Sequence, residues 1–219
     1  MPCPVCNLRK EKRFCPALHD RICAICCGQE REVTLDCPSD CPYLRQAREH
    51  ERPRTPEELI AAGAELFPEV EVGQGFVYER EPLIAGLSFA LARAARADRE
   101  VRDRDLIAAL TESAKTWQRR ASSGLEYQAA TNPVQQSISA ELERMAAEYA
   151  DAERKHMGYT TVRDSHVLRA LVFLLRLAHS RSSGRPRSRA FVEFLLNQFP
   201  EKKESVIASA SEGSRIIIP

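Results

Sequence analysis

All eight cysteines of the chain fall at or before position 41, and most of them come in close pairs. Cys3 stands with Cys6, Cys23 with Cys26, and Cys37 with Cys41, while Cys15 is followed four residues on by His19. Two-residue spacing lets both thiolates of a turn face one tetrahedral Zn²⁺ while neighbouring backbone amides donate to sulfur. Cys3 to Cys6 and Cys23 to Cys26 fit that pattern. Cys41 precedes Pro42 and an amphipathic run, which predicts a helix N-terminus, where the dipole favours the ligating thiolate.

Two ions need eight ligands, and the eight cysteines with His19 offer nine. The preferred solution is interleaved: Cys3, Cys6, Cys23 and Cys26 hold one ion, and Cys15, Cys27, Cys37 and Cys41 hold the other. Cys27, directly after Cys26, then lets one turn serve two metals, since adjacent side chains diverge. Gly28 is expected to supply positive φ for a tight turn there. In the competing solution His19 completes the second site, because Cys15 and His19 are spaced to meet across one helical turn, and Cys27 is a spare buried thiol. The arrangement resembles the cross-braced two-zinc modules of the RING, B-box and MYND classes, with spacings of its own. That resemblance covers about 40 residues and implies a binding module with no particular function attached.

A head of about 50 residues with few large apolar side chains cannot fold on burial alone, and a structural Zn²⁺ can contribute about 10 kcal/mol or more of apparent binding energy to folding. Metal as a staple is therefore the leading expectation. An iron–sulfur cluster is the rival cofactor, because Cys3, Cys15, Cys37 and Cys41 all precede proline. Ferredoxin-like runs place three cysteines at two-residue spacing before a distant fourth, which this chain does not do. A thioredoxin-like role for Cys3-Pro-Val-Cys6 lacks the strand-helix-strand context it needs.

The 32 Lys and Arg nearly balance the 31 Asp and Glu, so no global affinity for polyanions is expected. In residues 1–54 ten basic side chains face eight acidic ones. Each Zn²⁺ with four thiolates adds two negative charges, which removes the basic face that a nucleic-acid finger requires. There is no apolar run of membrane-spanning length and no export signal, so the expected location is cytoplasmic, where clustered thiols are metal ligands rather than disulfides. No nucleophile elbow, phosphate loop or dinucleotide fingerprint occurs. Glu153 and His156 have the spacing of a di-iron half-site, but no second Glu-x-x-His exists, and a solvated helix end is the simpler account. His166 and His179, thirteen apart, are out of register for a shared site. Arg181, Arg185, Arg187 and Arg189 lie in a stretch without an acid and are candidate phosphate contacts, although such a stretch is more often an exposed interhelix loop.

The elements that must carry these residues divide in two. Up to residue 52 the chain reads as the cysteine-rich two-zinc module. From Pro53 to residue 200 it reads as an α-helical domain of about six helices, and residues 201–219 read as a Ser-rich flexible tail. The boundary falls near residues 51–55, where Thr55, Pro56 and Glu58 form a capping box. Val134, Ile138, Leu142, Met145 and Tyr149 make one apolar helical face, and Leu106, Ile107, Leu110, Ala114 and Trp117 make another. Residues 166–178 are apolar on nearly all sides and predict the central helix. Residues 69–79, Glu-Val-Glu-Val-Gly-Gln-Gly-Phe-Val-Tyr-Glu, alternate and predict a small hairpin. Val101–Leu110 recurs as Val162–Leu171, and Ser-Ser-Gly at 122–124 recurs at 182–184. Such offsets describe a duplicated helix pair, with Gly124 and Gly184 ending helices in the left-handed conformation and Pro82 and Pro133 starting the next.

Stacked helix pairs more often present a surface than a catalytic centre. The expected function is a non-enzymatic zinc-binding adaptor or scaffold for another protein. A nucleic-acid-associated regulator using the arginines is the alternative, and an iron–sulfur redox protein is third.

Overall fold

The computed structural model describes residues 1–123 and 132–200, within which the chain is mainly α, with nine helices and one two-stranded sheet. The expected tail at 201–219 and the expected helix end at Gly124 lie outside the described residues.

In the head, β1 (Arg13–Cys15) pairs antiparallel with β2 (Asp20–Ile22), placing Cys15 opposite Asp20. Helix α1 (Ala24–Glu30) follows at once, and α2 (Pro42–His50) ends the module. Cys41 is the N-cap of α2 with Pro42 in its first turn, as the sequence predicts. The head has a core separate from that of the body, and five of its seven buried members are cysteines, with only Ile22 and Leu35 besides. Such a core holds little hydrocarbon for a module of about 50 residues.

In the body, α3 (Pro56–Ala61) begins with the expected capping box: Glu58 N–H donates to Thr55 Oγ1 at 3.3 Å and Thr55 N–H to Glu58 Oε2 at 3.0 Å. Then come α4 (Gln74–Glu79), α5 (Glu81–Ala97), α6 (Asp103–Ser123), α7 (Pro133–Met157), α8 (Asp164–Arg181) and α9 (Ala190–Gln198). Helix α6 lies along α8 and α5 along α7. The paired sequences Val101–Leu110 and Val162–Leu171 thus run into the two helices that pack on each other. Pro82 and Pro133 sit in the first turns of α5 and α7, and Gly184 has φ of 73°. Both expected apolar faces point inward. Ile138, Leu142 and Met145 of α7 are buried, as are Leu106, Leu110, Ala114 and Trp117 of α6. Helix α8 buries eight side chains and touches α5, α6 and α9, which is why its sequence is apolar nearly all round. At Gly86 a Cβ would stand 3.2 Å from Met145 Sδ, so the glycine sets how closely α5 and α7 approach.

The expected hairpin at residues 69–79 does not form, and the described residues of the body make seven helices where about six are expected. The extended backbone before α4 finds its acceptors' partners in arginines instead of a second strand. Arg169 Nε donates to Glu71 O at 2.8 Å, and Arg176 donates to the carbonyls of Leu66, Phe67 and Val70. Gly73 then serves as N-cap, and Phe76 is buried with the Arg169 guanidinium 4.1 Å above its ring. Local alternation was overridden by tertiary contact.

One buried carboxylate ties the start of α6 to α9. Asp103 is only 1% exposed; its Oδ1 accepts from the N–H groups of Phe191 and Val192 at 3.1 and 3.0 Å, and its Oδ2 from Ser188 Oγ at 2.6 Å. It satisfies donors at the α9 N-terminus that have no helical partner. Replacing Asp103 with Ala leaves them buried and unpaired, and is expected to lower the unfolding free energy by about 3 kcal/mol in urea titration; an unchanged midpoint would show that this tie carries no stability.

Candidate metal centre

The first quartet is built from two short local structures. Residues 3–6 turn so that Asn7 N–H donates to Cys3 O at 2.7 Å, with Asn7 in the left-handed region at φ of 53°. On the other side Cys23 is the N-cap of α1 and its Sγ accepts from Cys26 N–H at 3.4 Å. The sulfurs of Cys3, Cys6, Cys23 and Cys26 all lie within 4.8 Å of one another, and three of the four residues are buried. Four sulfurs at 2.3 Å from a single ion and at tetrahedral angles stand about 3.8 Å apart, so the gathering is close to what one ion requires.

Electrostatics sort these thiols. Backbone N–H groups of Leu8 and Arg9 pull the Cys6 thiol down to about 6, and that of Cys26 lowers Cys23. Burial, followed by hydrogen bonding shared with Cys23, Cys6 and Cys3, pushes Cys26 up to about 12. A buried thiol crowded by three others holds its proton when nothing positive offsets the burial. A divalent ion inverts that balance and deprotonates all four. The Arg9 guanidinium adds a positive charge beside the quartet, favoured by its interaction with Cys23.

Cys26 and Cys27 both belong to α1, and successive helical residues point about 100° apart. Cys27 therefore faces away from the first quartet and, with Cys15, Cys37 and Cys41, lines a separate cavity of about 10 Å³. Among the described residues only the first quartet gathers its sulfurs within 4.8 Å. The expected role of Gly28 is corrected: it lies inside α1 without positive φ, so it is the helix, not a tight turn, that separates the two cysteines. His19 sits exposed in the turn between β1 and β2, itself at φ of 52°, and does not line the cavity.

The arginine stretch is used internally. Arg185 donates to the carbonyls of Gly28 and Arg31 in the head at 3.0 and 2.6 Å, Arg189 to those of Arg99 and Val101, and Arg181 lies over the Phe194 ring at 4.4 Å. The Arg187 backbone N–H donates to Glu32 O at 2.8 Å, while its side chain is exposed. Glu32 is the residue on which this junction turns. It is 2% exposed, in the left-handed region at φ of 53°, and accepts from Arg48 at 2.8 Å and from Ser183 Oγ at 3.0 Å. Arg48 reaches on to Glu193 of α9, and Arg102 donates to Asp36 at 3.0 Å. Sequence spacing offers no signal for Glu32, because one of its carboxylate's partners lies 151 positions away.

Glu153 is likewise not a solvated helix end. It accepts from Thr160, Thr161 and Val162 and pairs with Arg80, fixing the connection from α7 to α8, while His156 is exposed. No helix among the described residues is long and apolar enough to cross a membrane. Compared with known proteins, the chain matches no family model, no curated protein and no solved structure.

Two outcomes follow from this geometry. Cys23→Ser removes a candidate thiolate ligand while leaving an oxygen that can still cap α1, and the purified protein is expected to lose about one metal ion per chain by mass spectrometry, with the head unfolding at lower temperature; unchanged metal content would exclude Cys23 as a ligand. Glu32→Ala leaves Ser183 without its carboxylate and Arg48 with Glu193 alone, and is expected to cost about 2 kcal/mol in urea unfolding. An unaltered unfolding curve would mean that the head is held to the body by other contacts.

Proposed function

We propose that the chain is a non-enzymatic zinc protein in which a metal-stapled head, fixed on a helical body, serves as an adaptor for another protein. The observation that carries this reading is the closed set Cys3, Cys6, Cys23 and Cys26. Four protein thiolates complete a tetrahedron and leave no position for water or substrate, which is the character of structural rather than catalytic zinc. Zinc is favoured over an iron–sulfur cluster because the sulfurs are gathered tightly enough for one ion, whereas a cluster of several irons holds its cysteines farther apart. All eight cysteines are free thiols, which suits a reducing, cytoplasmic setting.

The adaptor role draws on what the head leaves exposed. Along β1 the inward Cys15 alternates with Phe14, which is 51% exposed; Leu18, Ile25, Val33 and Leu8 are also open to solvent. Large apolar side chains exposed on so small a module suit contact with another protein. The duplicated helix pair belongs to the same proposal, with α5–α6 and α7–α8 as two units whose packing builds the body. The nucleic-acid reading draws less support, since Arg185 and Arg189 spend their donors on backbone carbonyls.

Two measurements separate these readings. Wild-type protein should elute from heparin at low salt, because few phosphate contacts means little counterion release. Retention that falls steeply with salt and is abolished by Arg187→Ala would overturn the adaptor reading in favour of phosphate binding. A partner captured from the native host should survive nuclease treatment and be lost with Phe14→Ser; capture that nuclease abolishes would count for the alternative.

A further inference from the structure

We propose that Cys15, Cys27, Cys37 and Cys41 form a second metal site, binding one Zn²⁺ on a different face of α1 from the first. This deepens the reading of the head as a zinc module and rests on it.

Four observations converge. The four cysteines come from four different parts of the head: the end of β1, the middle of α1, the turn before α2 and the N-cap of α2. Yet they line the same cavity, whose volume of about 10 Å³ is roughly that of a single water-sized occupant. The rest of the lining is largely apolar, including Phe14, Leu35 and Leu44. A small cavity with four thiols, whose other polar side chains are those of Arg31 and Tyr43, suits a soft-ligand ion, whose thiolate centre carries net negative charge, better than a neutral polar guest.

The charge around the cavity points the same way. Arg13 Nη1 lies 3.7 Å from Cys27 Sγ, and its guanidinium is held over the Tyr43 ring at 4.6 Å. A spare apolar cysteine has no use for a cation aimed at its sulfur, whereas a tetrathiolate centre carries net charge −2 and does. The first quartet has Arg9 in the same role, four residues earlier on the same segment.

The N-terminus of α2 supplies the fourth argument. Cys41 occupies the N-cap but its side chain makes no capping hydrogen bond, so Sγ remains available while the nine-residue helix directs its positive end toward it. The sulfurs of this quartet are set more widely than those of the first, and ion binding is expected to draw them to about 3.8 Å separations. Buried cysteines can also pack simply as small hydrophobes. Packing alone would not require four of them around one cavity with an arginine beside it.

The same geometry decides between Cys27 and His19, since His19 is exposed in the hairpin turn and outside the cavity lining.

The test is metal stoichiometry of the full-length chain by native mass spectrometry, with Co²⁺ substitution to count thiolates from the charge-transfer absorbance. Wild type is expected to bind two ions, Cys27→Ser and Cys37→Ser one each, Cys23→Ser one, and His19→Ala two. Charge-state distributions of the same spectra show whether each variant is folded, and Cys37→Ser, at a partly exposed position, covers the case in which Cys27→Ser does not fold. Wild type binding one ion that Cys23→Ser loses and Cys27→Ser and Cys37→Ser keep would refute the second site and leave the first standing. Loss of an ion in His19→Ala but in neither Cys27→Ser nor Cys37→Ser would refute the assignment of its ligands. Wild type binding no zinc from purified, reduced apoprotein would overturn both this site and the zinc reading on which it rests.

Discussion

Successive residues on an α-helix diverge by about 100°, and in α1 that angle separates Cys26 from Cys27. The head is organised by this divergence. On one side Cys26 meets the 3–6 turn and the α1 N-cap, closing a quartet within 4.8 Å. On the other side Cys27 meets the end of β1 and the start of α2 across a small cavity. The hairpin, the helix and the following turns are short, and none could hold its place by apolar burial, because Ile22 and Leu35 are the only buried members of the core that are not cysteine. Sulfur at the centre replaces the hydrocarbon that a larger domain would use.

The head is nonetheless not a bead on a string. Glu32 buries its carboxylate between Arg48 of α2 and Ser183 after α8, Arg185 reaches into the carbonyls at the end of α1, and Arg102 of the body reaches Asp36. The Ser183 and Arg185 contacts join the first 50 residues to the stretch between α8 and α9, and the Arg102 contact joins them to the start of α6. Asp103 in turn joins that stretch to the start of α6 and of α9. The head therefore rests on segments that are themselves tied to the core of the body.

Much of this was legible in the residues and some was not. Cysteine spacing identified the first quartet, and Pro42 after Cys41 and the Thr55–Glu58 capping box marked two helix starts, because those signals are local chemistry. The apolar faces of α6, α7 and α8 were equally plain, since a 3.6-residue period needs no knowledge of the partner. What escaped were the interactions between distant charges. The arginines of 181–189 looked like a free basic loop, Glu153 looked solvated, and Glu32 carried no mark at all, yet each finds partners that only the fold supplies. Residues 69–79 looked like a hairpin because their alternation is real, but Arg169 and Arg176 satisfy the carbonyls that a second strand would have satisfied. Gly28 was read as a turn residue, and it is the continuity of α1 through that position that makes Cys26 and Cys27 diverge.

The central claim is that metal held by cysteine is what keeps the head folded on the body. Hydrogen exchange of the full chain before and after removal of metal by a chelator under reducing conditions tests it most directly. The account predicts that amides of residues 1–50 lose protection while those of α5, α6, α7 and α8 keep theirs, and that added Zn²⁺ restores the original pattern. Protection in the head that persists unchanged in metal-free protein would contradict it.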